Sequence, residues 1–371
     1  MTSVPAVLSI SHRTRRTPFT DRVSAAGVAG YTVYNHMLLP TMFRSVVEDY
    51  RHLKTSVQVW DVACERQVEV CGPQATELLQ MLTPRDLSAM QIGQCLYTPM
   101  VDETGGMLND PVTVKLDEDR YWISIADSDL LFWIKALAIG YRMTVAVFEP
   151  DVSPLAIQGP QADELVARVF GEEARSIRFF RYKMLEFNGT RFVVARSGYS
   201  KQGGFEVYVH DTKHGEPLWD ALFSVGRDLD VRAGCPNLIE RIEAGLLSYG
   251  NDMTQSNTPH ECGLGRFCDT KSAIGCIGRD ALLRVADEGP QRQIRYLEID
   301  GDPVPPCNEP WEVVSKHGSA GQVTSAAWSP DFSTNVALAM IDREVWDNGT
   351  RLTVETPSGP RSVLVGEKSW L

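Results

Sequence analysis

The chain has 371 residues, too many for one compact core, and its 43% hydrophobic and 9% aromatic content suits a folded protein of two or three subdomains. A formal charge of −12 argues against general nucleic-acid binding, which needs concentrated Lys and Arg, but leaves room for an anionic ligand in a locally basic pocket. No apolar run approaches the ~20 residues of a membrane span, so the expectation is a cytoplasmic protein with no nucleic-acid or membrane partner; a homo-oligomer is compatible with this composition.

In chain order, "MTSVPAVLSISHRTRRTPF" puts its basic residues after its short apolar stretch, the reverse of a secretory leader. "RQVEVCGP" alternates apolar and polar residues into a turn at Gly72-Pro73 and reads as a strand. In "LYTPMVDETGGMLNDPVTV", Gly105-Gly106 make a turn, and Asp110 stands directly before Pro111, which biases it to extended backbone at the entrance of the next strand. A carboxylate there is placed to face a cavity beside the Asn109 amide; a plain Asn-Asp-Pro turn is the competing reading.

"PVTVKLDEDRYWISIAD" reads as a hairpin turning at Asp117-Glu118-Asp119, and "MLEFNGTRFVVARS" as a second one turning at Asn188-Gly189. "GPQATELLQMLTP" and "GPQADELVARVF" share a pattern of strand, Gly-Pro-Gln-Ala and helix, hinting at two similar units around Gly72 and Gly159. In "RSGYSKQGGFEVYV", Phe205, Val207 and Val209 fall on one face and Glu206, Tyr208 and His210 on the other. Glu206 beside Tyr208 is either a wet edge or a ligand-facing pair, delivered by a glycine-rich loop that can turn sharply. "EPLWDALFSVGRDL" spaces Leu218, Leu222, Val225 and Leu229 along one helical face.

In "NLIERIEAGLLSYGNDMT", Arg241 serves equally well as an anchor for a ligand carboxylate or as an ion-pair partner within the fold. The eight cysteines contain no C-x-x-C pair and read as reduced thiols; His260, Cys262 and Cys268 lack a matching second pair, so no metal is expected. There is no P-loop and no G-x-S-x-G, and "GCIGRDALL" is too short of glycines for a dinucleotide loop. Near residue 288 the chain turns Pro- and Gly-rich and then strand-like in "GQVTSAAWSP", "NVALAMI" and "RLTVETPSGPRSVLVG". The expected division is a mixed body over 1–287, made of two interleaved α+β subdomains, and a small β-barrel over 288–371.

Taken in order, "GGMLNDPVTV", "SPLAIQGPQA", "SGYSKQGGFEVYV", "RIEAGLLSYGNDMT", "CIGRDALL" and "GQVTSAAWSP" resemble the folate-dependent aminomethyltransferase family, the T-proteins of glycine cleavage and their relatives. The resemblance runs from about Thr17 to the C-terminus. It implies an α+β, three-domain cloverleaf ring with a C-terminal all-β barrel and tetrahydrofolate in a central channel. By position it implies that Glu206 holds the pterin, that Tyr97, Tyr199 and Phe180 line it, and that Asp110 lies closest to folate N5. Arg241 matches the family's pocket arginine, Ser124 is a further contact, and Tyr208 lies near the methyl donor, with Trp60 a second aromatic candidate.

"TPFTDRVSAAGVAGYTVYNHMLLPTMF", "WDVACERQVEV" and "GYSKQGGFEVYV" are more similar to a branch that takes a methyl from the small sulfonium carboxylate dimethylsulfoniopropionate. That resemblance implies a methyltransferase giving 5-methyltetrahydrofolate and 3-(methylthio)propanoate. The aminomethyltransferase pattern has Thr-Gly-Glu where this chain has Ser200-Lys201-Gln202, and asparagine where it has Ala126. Lys271, Cys276 and Gly278 are only a fragment of the signature of a third branch, in iron–sulfur assembly or RNA modification. The alternatives are demethylation of another N- or O-methyl compound and aminomethyl transfer in glycine cleavage.

Overall fold

Gly72 and Gly159 take φ values of 126° and 124° and open two matching strand-to-helix units. Strand Gln67–Cys71 passes through Gly72 into helix Ala75–Leu82, and strand Val152–Gln158 passes through Gly159 into helix Ala162–Phe170. Each glycine carbonyl accepts from the first helical N–H, Ala75 at 2.9 Å and Ala162 at 3.0 Å. A Cβ at Gly72 would lie 2.8 Å from the Thr144 carbonyl oxygen, so the recurrence seen in sequence is a repeated backbone device that requires glycine. The computed structural model describes residues 8–269, 275–366 and 369–371; Lys271 lies outside them.

The first unit belongs to a five-stranded sheet, in order Ala146–Phe148, Gln67–Cys71, Arg120–Ser124, Val112–Asp117 and Cys95–Tyr97, all antiparallel. The second belongs to a six-stranded sheet, in order Tyr182–Phe187, Thr190–Ala195, Gly204–His210, Val152–Gln158, Gln58–Asp61 and Arg232–Gly234. Only its last pair is parallel. Because Gln58–Asp61 precedes the five-stranded sheet in sequence and Val152–Gln158 follows it, the two units are interleaved. Both expected hairpins form, and Asn188 and Gly189 take positive φ of 50° and 76°, as a tight hairpin turn demands.

Each sheet buries one face under helices. Phe205, Val207 and Val209 pack with Leu165, Leu218 and Leu222, whereas Val68, Val70 and Tyr121 pack with Leu78, Leu82 and Ile134. The helix Gly215–Val225 is shorter than its sequence pattern, which drew Val225 and Leu229 onto the buried face. Val225 is exposed, because Gly226 ends the helix and Leu229 falls in a separate 3-10 turn. The other faces of the two sheets meet each other through Trp122, Val114, Val193, Ala195 and Tyr208.

Six strands, Arg292–Ile299, Thr334–Asp342, Gly318–Ser329, Trp311–Ser315, Arg351–Thr356 and Gly359–Gly366, close into a barrel. It docks on helix Leu238–Glu243 through Ile239, Ile242, Leu338 and Met340. The buried Glu243 accepts from Ser329 Oγ at 2.6 Å and from Tyr50 Oη at 2.9 Å, joining barrel and body. No helix among the described residues is long and apolar enough to cross a membrane.

Candidate active site

Asn35 ties three segments together from the turn of a hairpin, Gly30–Tyr34 with Met37–Met42. Its buried amide donates to the carbonyls of Cys64 at 2.9 Å and Ala126 at 3.2 Å. Asn109, also buried, grips Ala126 from the other side: its nitrogen donates to the Ala126 carbonyl at 3.1 Å and its oxygen accepts the Ala126 N–H at 3.0 Å. The clasp holds the sequence neighbours Tyr34, Glu65 and Asp110 on one wall, and each stays half-buried.

Asp110 begins the chain's turn into strand Val112–Asp117, where Pro111 was expected to hold it extended. Tyr97 Oη donates to Asp110 Oδ2 at 2.7 Å. Burial pushes the Asp110 carboxyl up to about 7, against the Tyr97 hydrogen bond, which favours the ionised form. The Tyr97 ring lies 5.2 Å from that of Phe267, and the guanidinium groups of Arg85 and Arg266 sit 4.9 and 4.7 Å from the Phe267 centroid. Neither arginine pairs with a carboxylate among the described residues, so this corner is locally positive in an acidic chain.

Glu206 is not on a wet edge. Its strand runs between Thr190–Ala195 and Val152–Gln158, and only 7% of the residue is exposed. Ser197 Oγ donates a short hydrogen bond to Glu206 Oε2, leaving Oε1 without a partner among the described residues. Burial raises the Glu206 carboxyl above its usual range, while the serine bond opposes it. Tyr208, on the same face, is 1% exposed with its ring 5.9 Å from Trp122. Ser124 Oγ bonds Gln67 Oε1 at 3.0 Å and Tyr208 Oη at 3.3 Å, so Ser124 positions the tyrosine hydroxyl.

Tyr199 Oη donates to the Leu247 carbonyl at 2.7 Å, and its half-buried ring covers the buried Trp60, whose indole N–H bonds Gln58 at 2.8 Å. Trp60 is therefore beneath the aromatic wall rather than on it. Phe180 is half-buried with φ of 55°, an unusual left-handed backbone for an aromatic residue, pinned because its carbonyl accepts from Cys95 N–H at 3.0 Å. Arg241 lies behind Tyr199 and is 7% exposed. Its guanidinium pairs with Asp252 at 2.8 Å and donates to Ser325 Oγ at 2.6 Å, so of the two roles open in the sequence it performs the ion pair.

Sequence reasoning passed over Glu65. Its N–H donates to the Val62 carbonyl at 2.9 Å and its own carbonyl accepts from Gln67 Nε2 at 2.8 Å, which fixes the backbone. Its carboxylate makes no hydrogen bond or ion pair among the described residues, and burial, then Glu206, then Asp110 drive it well above the usual carboxylate range. Glu65, Asp110 and Glu206 are thus electrostatic neighbours, and with the half-buried Tyr34, Tyr97 and Tyr199 they mark an acidic, aromatic-lined recess.

The mixed body and the docked six-stranded barrel match a known pair of domains. The GCVT N-terminal domain matches residues 19–272, and the glycine cleavage T-protein C-terminal barrel domain matches residues 292–369. The chain belongs to the glycine cleavage T-protein family. It is 59% identical over 360 residues to the dimethylsulfoniopropionate demethylase DmdA of Ruegeria pomeroyi, covering 97% of this chain and 98% of that protein. It is 29% identical over 339 residues to an aminomethyltransferase of Caldanaerobacter subterraneus, covering 90% of this chain and 89% of that one. The fold matches glycine cleavage system aminomethyltransferase T from Bartonella henselae with a TM-score of 0.85 at 23% identity, over 96% of this chain and 98% of that chain.

Proposed function

We propose that the chain demethylates dimethylsulfoniopropionate, passing one methyl to tetrahydrofolate and releasing 3-(methylthio)propanoate. The observation that carries this reading is near full-length 59% identity to the Ruegeria demethylase, joined to a recess whose charge suits a cation. The residues present fit the folate. Glu206 Oε1 would accept an N–H donor of the pterin, Tyr97 and Tyr199 would flank it with aromatic faces, and Arg85 and Arg266, stacked on Phe267, would meet its acidic tail. Phe180 packs against the neighbouring cluster of Trp122 and Tyr208.

Bound tetrahydrofolate supplies N5, a neutral amine whose lone pair takes the methyl while the S–CH₃ bonding electrons stay on sulfur as a neutral thioether. The protein's share is orientation and charge, where effective molarities reach ~10⁵ M or more. Asp110, held through Oδ2 by Tyr97, keeps Oδ1 free to orient the amine and to take up the proton that leaves after attack. Tyr208 acts through its hydroxyl, fixed by Ser124, which Gln67 holds in turn, since its ring is covered by Trp122. Ser200-Lys201-Gln202 and Ala126 weigh against aminomethyl transfer.

The test is an anaerobic incubation of enzyme, tetrahydrofolate and dimethylsulfoniopropionate, with both products read by mass spectrometry beside Asp110→Ala. Equal amounts of 5-methyltetrahydrofolate and 3-(methylthio)propanoate, strongly reduced in the variant, are expected. Folate binding without either product from the wild-type enzyme refutes the substrate.

A further inference from the structure

Three carboxylates share the recess, and two have work. Asp110 is bonded by Tyr97 and Glu206 by Ser197. Among the described residues Glu65 has neither a donor nor a counter-ion for its carboxylate, although its backbone is fixed at both ends by Val62 and Gln67. The Asn35 and Asn109 amides meet at Ala126 and hold its segment against the one that carries Asp110. Removing a carboxylate from water without a partner is unfavourable, and a protein relieves it by protonation or by receiving a cation. Among the described residues, the groups that interact electrostatically with Glu65 are Tyr34, Cys64, Asp110, Tyr199, Glu206 and Tyr208, and none is cationic.

We infer that Glu65 is the specificity residue for a cationic methyl donor: its carboxylate is the counter-charge of the onium centre, between the faces of Tyr34 and Tyr199. This rests on the demethylase reading above and adds to it the group that makes the donor's charge matter. Asp110 and Glu206 both belong to the folate side of the recess, so Glu65 is the acid left for the donor. Burial and its acidic neighbours raise the Glu65 carboxyl, so a cation brought beside it favours loss of its proton. Tyrosine faces add attraction for an onium but cannot alone distinguish charge from shape as strongly as an adjacent anion does.

The experiment measures Kd by titration calorimetry for dimethylsulfoniopropionate and for 4-methylpentanoate, the same shape with carbon in place of the charged sulfur. Wild-type enzyme is expected to favour the sulfonium by about tenfold or more, the range of a charge-assisted contact. Glu65→Gln is expected to shrink that ratio by about tenfold while tetrahydrofolate affinity stays near wild type. Titrations in two buffers of different ionisation enthalpy are expected to reveal proton release on donor binding in the wild type and a reduced release in Glu65→Gln. An unchanged ratio in a folded, folate-binding Glu65→Gln overturns the inference. So does a wild-type enzyme that binds 4-methylpentanoate as tightly as the sulfonium, whatever the variant does. Absence of turnover in the wild type is a different failure, that of the demethylase reading.

Discussion

The Tyr97 hydroxyl donates to Asp110 Oδ2 at 2.7 Å while burial holds that carboxyl up at about 7. If ionised Asp110 orients the amine and receives its proton, kcat/KM falls as pH drops below about 7, where the carboxyl gains its proton. Tyr97→Phe removes a bond that favours the ionised form, so the acid limb moves to higher pH by roughly one unit, the equivalent of about 1–1.5 kcal/mol. Asp110→Asn removes the limb together with most of the activity. Profiles of kcat/KM for all three enzymes test this, and an acid limb unmoved in both variants assigns it elsewhere.

Glu206 and Ser197 form the corresponding pair on the folate side. Glu206→Gln keeps an acceptor but loses its charge, so tetrahydrofolate Kd is expected to rise by roughly ten- to a hundredfold, from about 1.5–3 kcal/mol of charge-assisted bonding. Ser197→Ala leaves the carboxylate in place but less well oriented, and the rise is smaller, about fivefold for a ~1 kcal/mol bond. Fluorescence titration with tetrahydrofolate decides. Wild-type affinity in Glu206→Gln would remove Glu206 from the folate site.

The parts of this site that sequence made legible are those set by local rules. Period-two alternation separated Glu206 and Tyr208 from the core-facing Phe205 and Val207, and Pro111 marked Asp110. The repeated Gly-Pro-Gln-Ala found two units because one backbone device serves both. Glu65 was not legible: it lies in a turn without periodicity, and its placement depends on Asn35, far upstream. The exposure of Glu206 depended on which strand became its second neighbour, a long-range pairing with Val152–Gln158 that spacing does not encode. Arg241 was ambiguous because its partner Ser325 comes from the barrel. Of the barrel, Arg292–Ile299 and Trp311–Ser315 went unread as strands; in the first, two arginines and a glutamate blur the alternation.

Arg241 and Asp252 make a buried pair at 2.8 Å, with Asp252 Oδ1 also accepting from Thr324 Oγ1 at 2.7 Å and from Ser325 Oγ at 2.6 Å. Either Arg241→Met or Asp252→Leu strands the opposite charge and is expected to lower stability by roughly 3–5 kcal/mol. The double variant is expected to lose less than the sum, because no charge is left stranded. Denaturant unfolding gives the cycle. Folate affinity of the double variant separates the roles: near wild type leaves Arg241 as a barrel-docking residue, and a large loss makes it a ligand contact as well.

Gln158 governs how the loop before Glu206 is threaded. Its buried side chain donates to the Ser197 carbonyl at 3.1 Å and accepts from Ser200 Oγ at 2.8 Å. Gly198 and Gly204, with φ of 151° and 153°, pass directly against that amide. A Cβ at Gly204 would fall inside the contact distance of the Ile157 carbonyl and the Gln158 amide, and neither a strand backbone nor a buried amide can withdraw. Gly204→Ala is therefore expected to destabilise by roughly 3 kcal/mol or more, from strain at positive φ and overpacking together. If the chain still folds, the loop must shift, and Glu206, two residues on, moves with it. The signature is loss of tetrahydrofolate affinity in the folded fraction, whereas Gly203→Ala, whose Cβ meets nothing within 4 Å, carries only its local φ strain and keeps the affinity. Equal affinities in the two alanine variants would mean that the Gln158 contact does not set the position of Glu206.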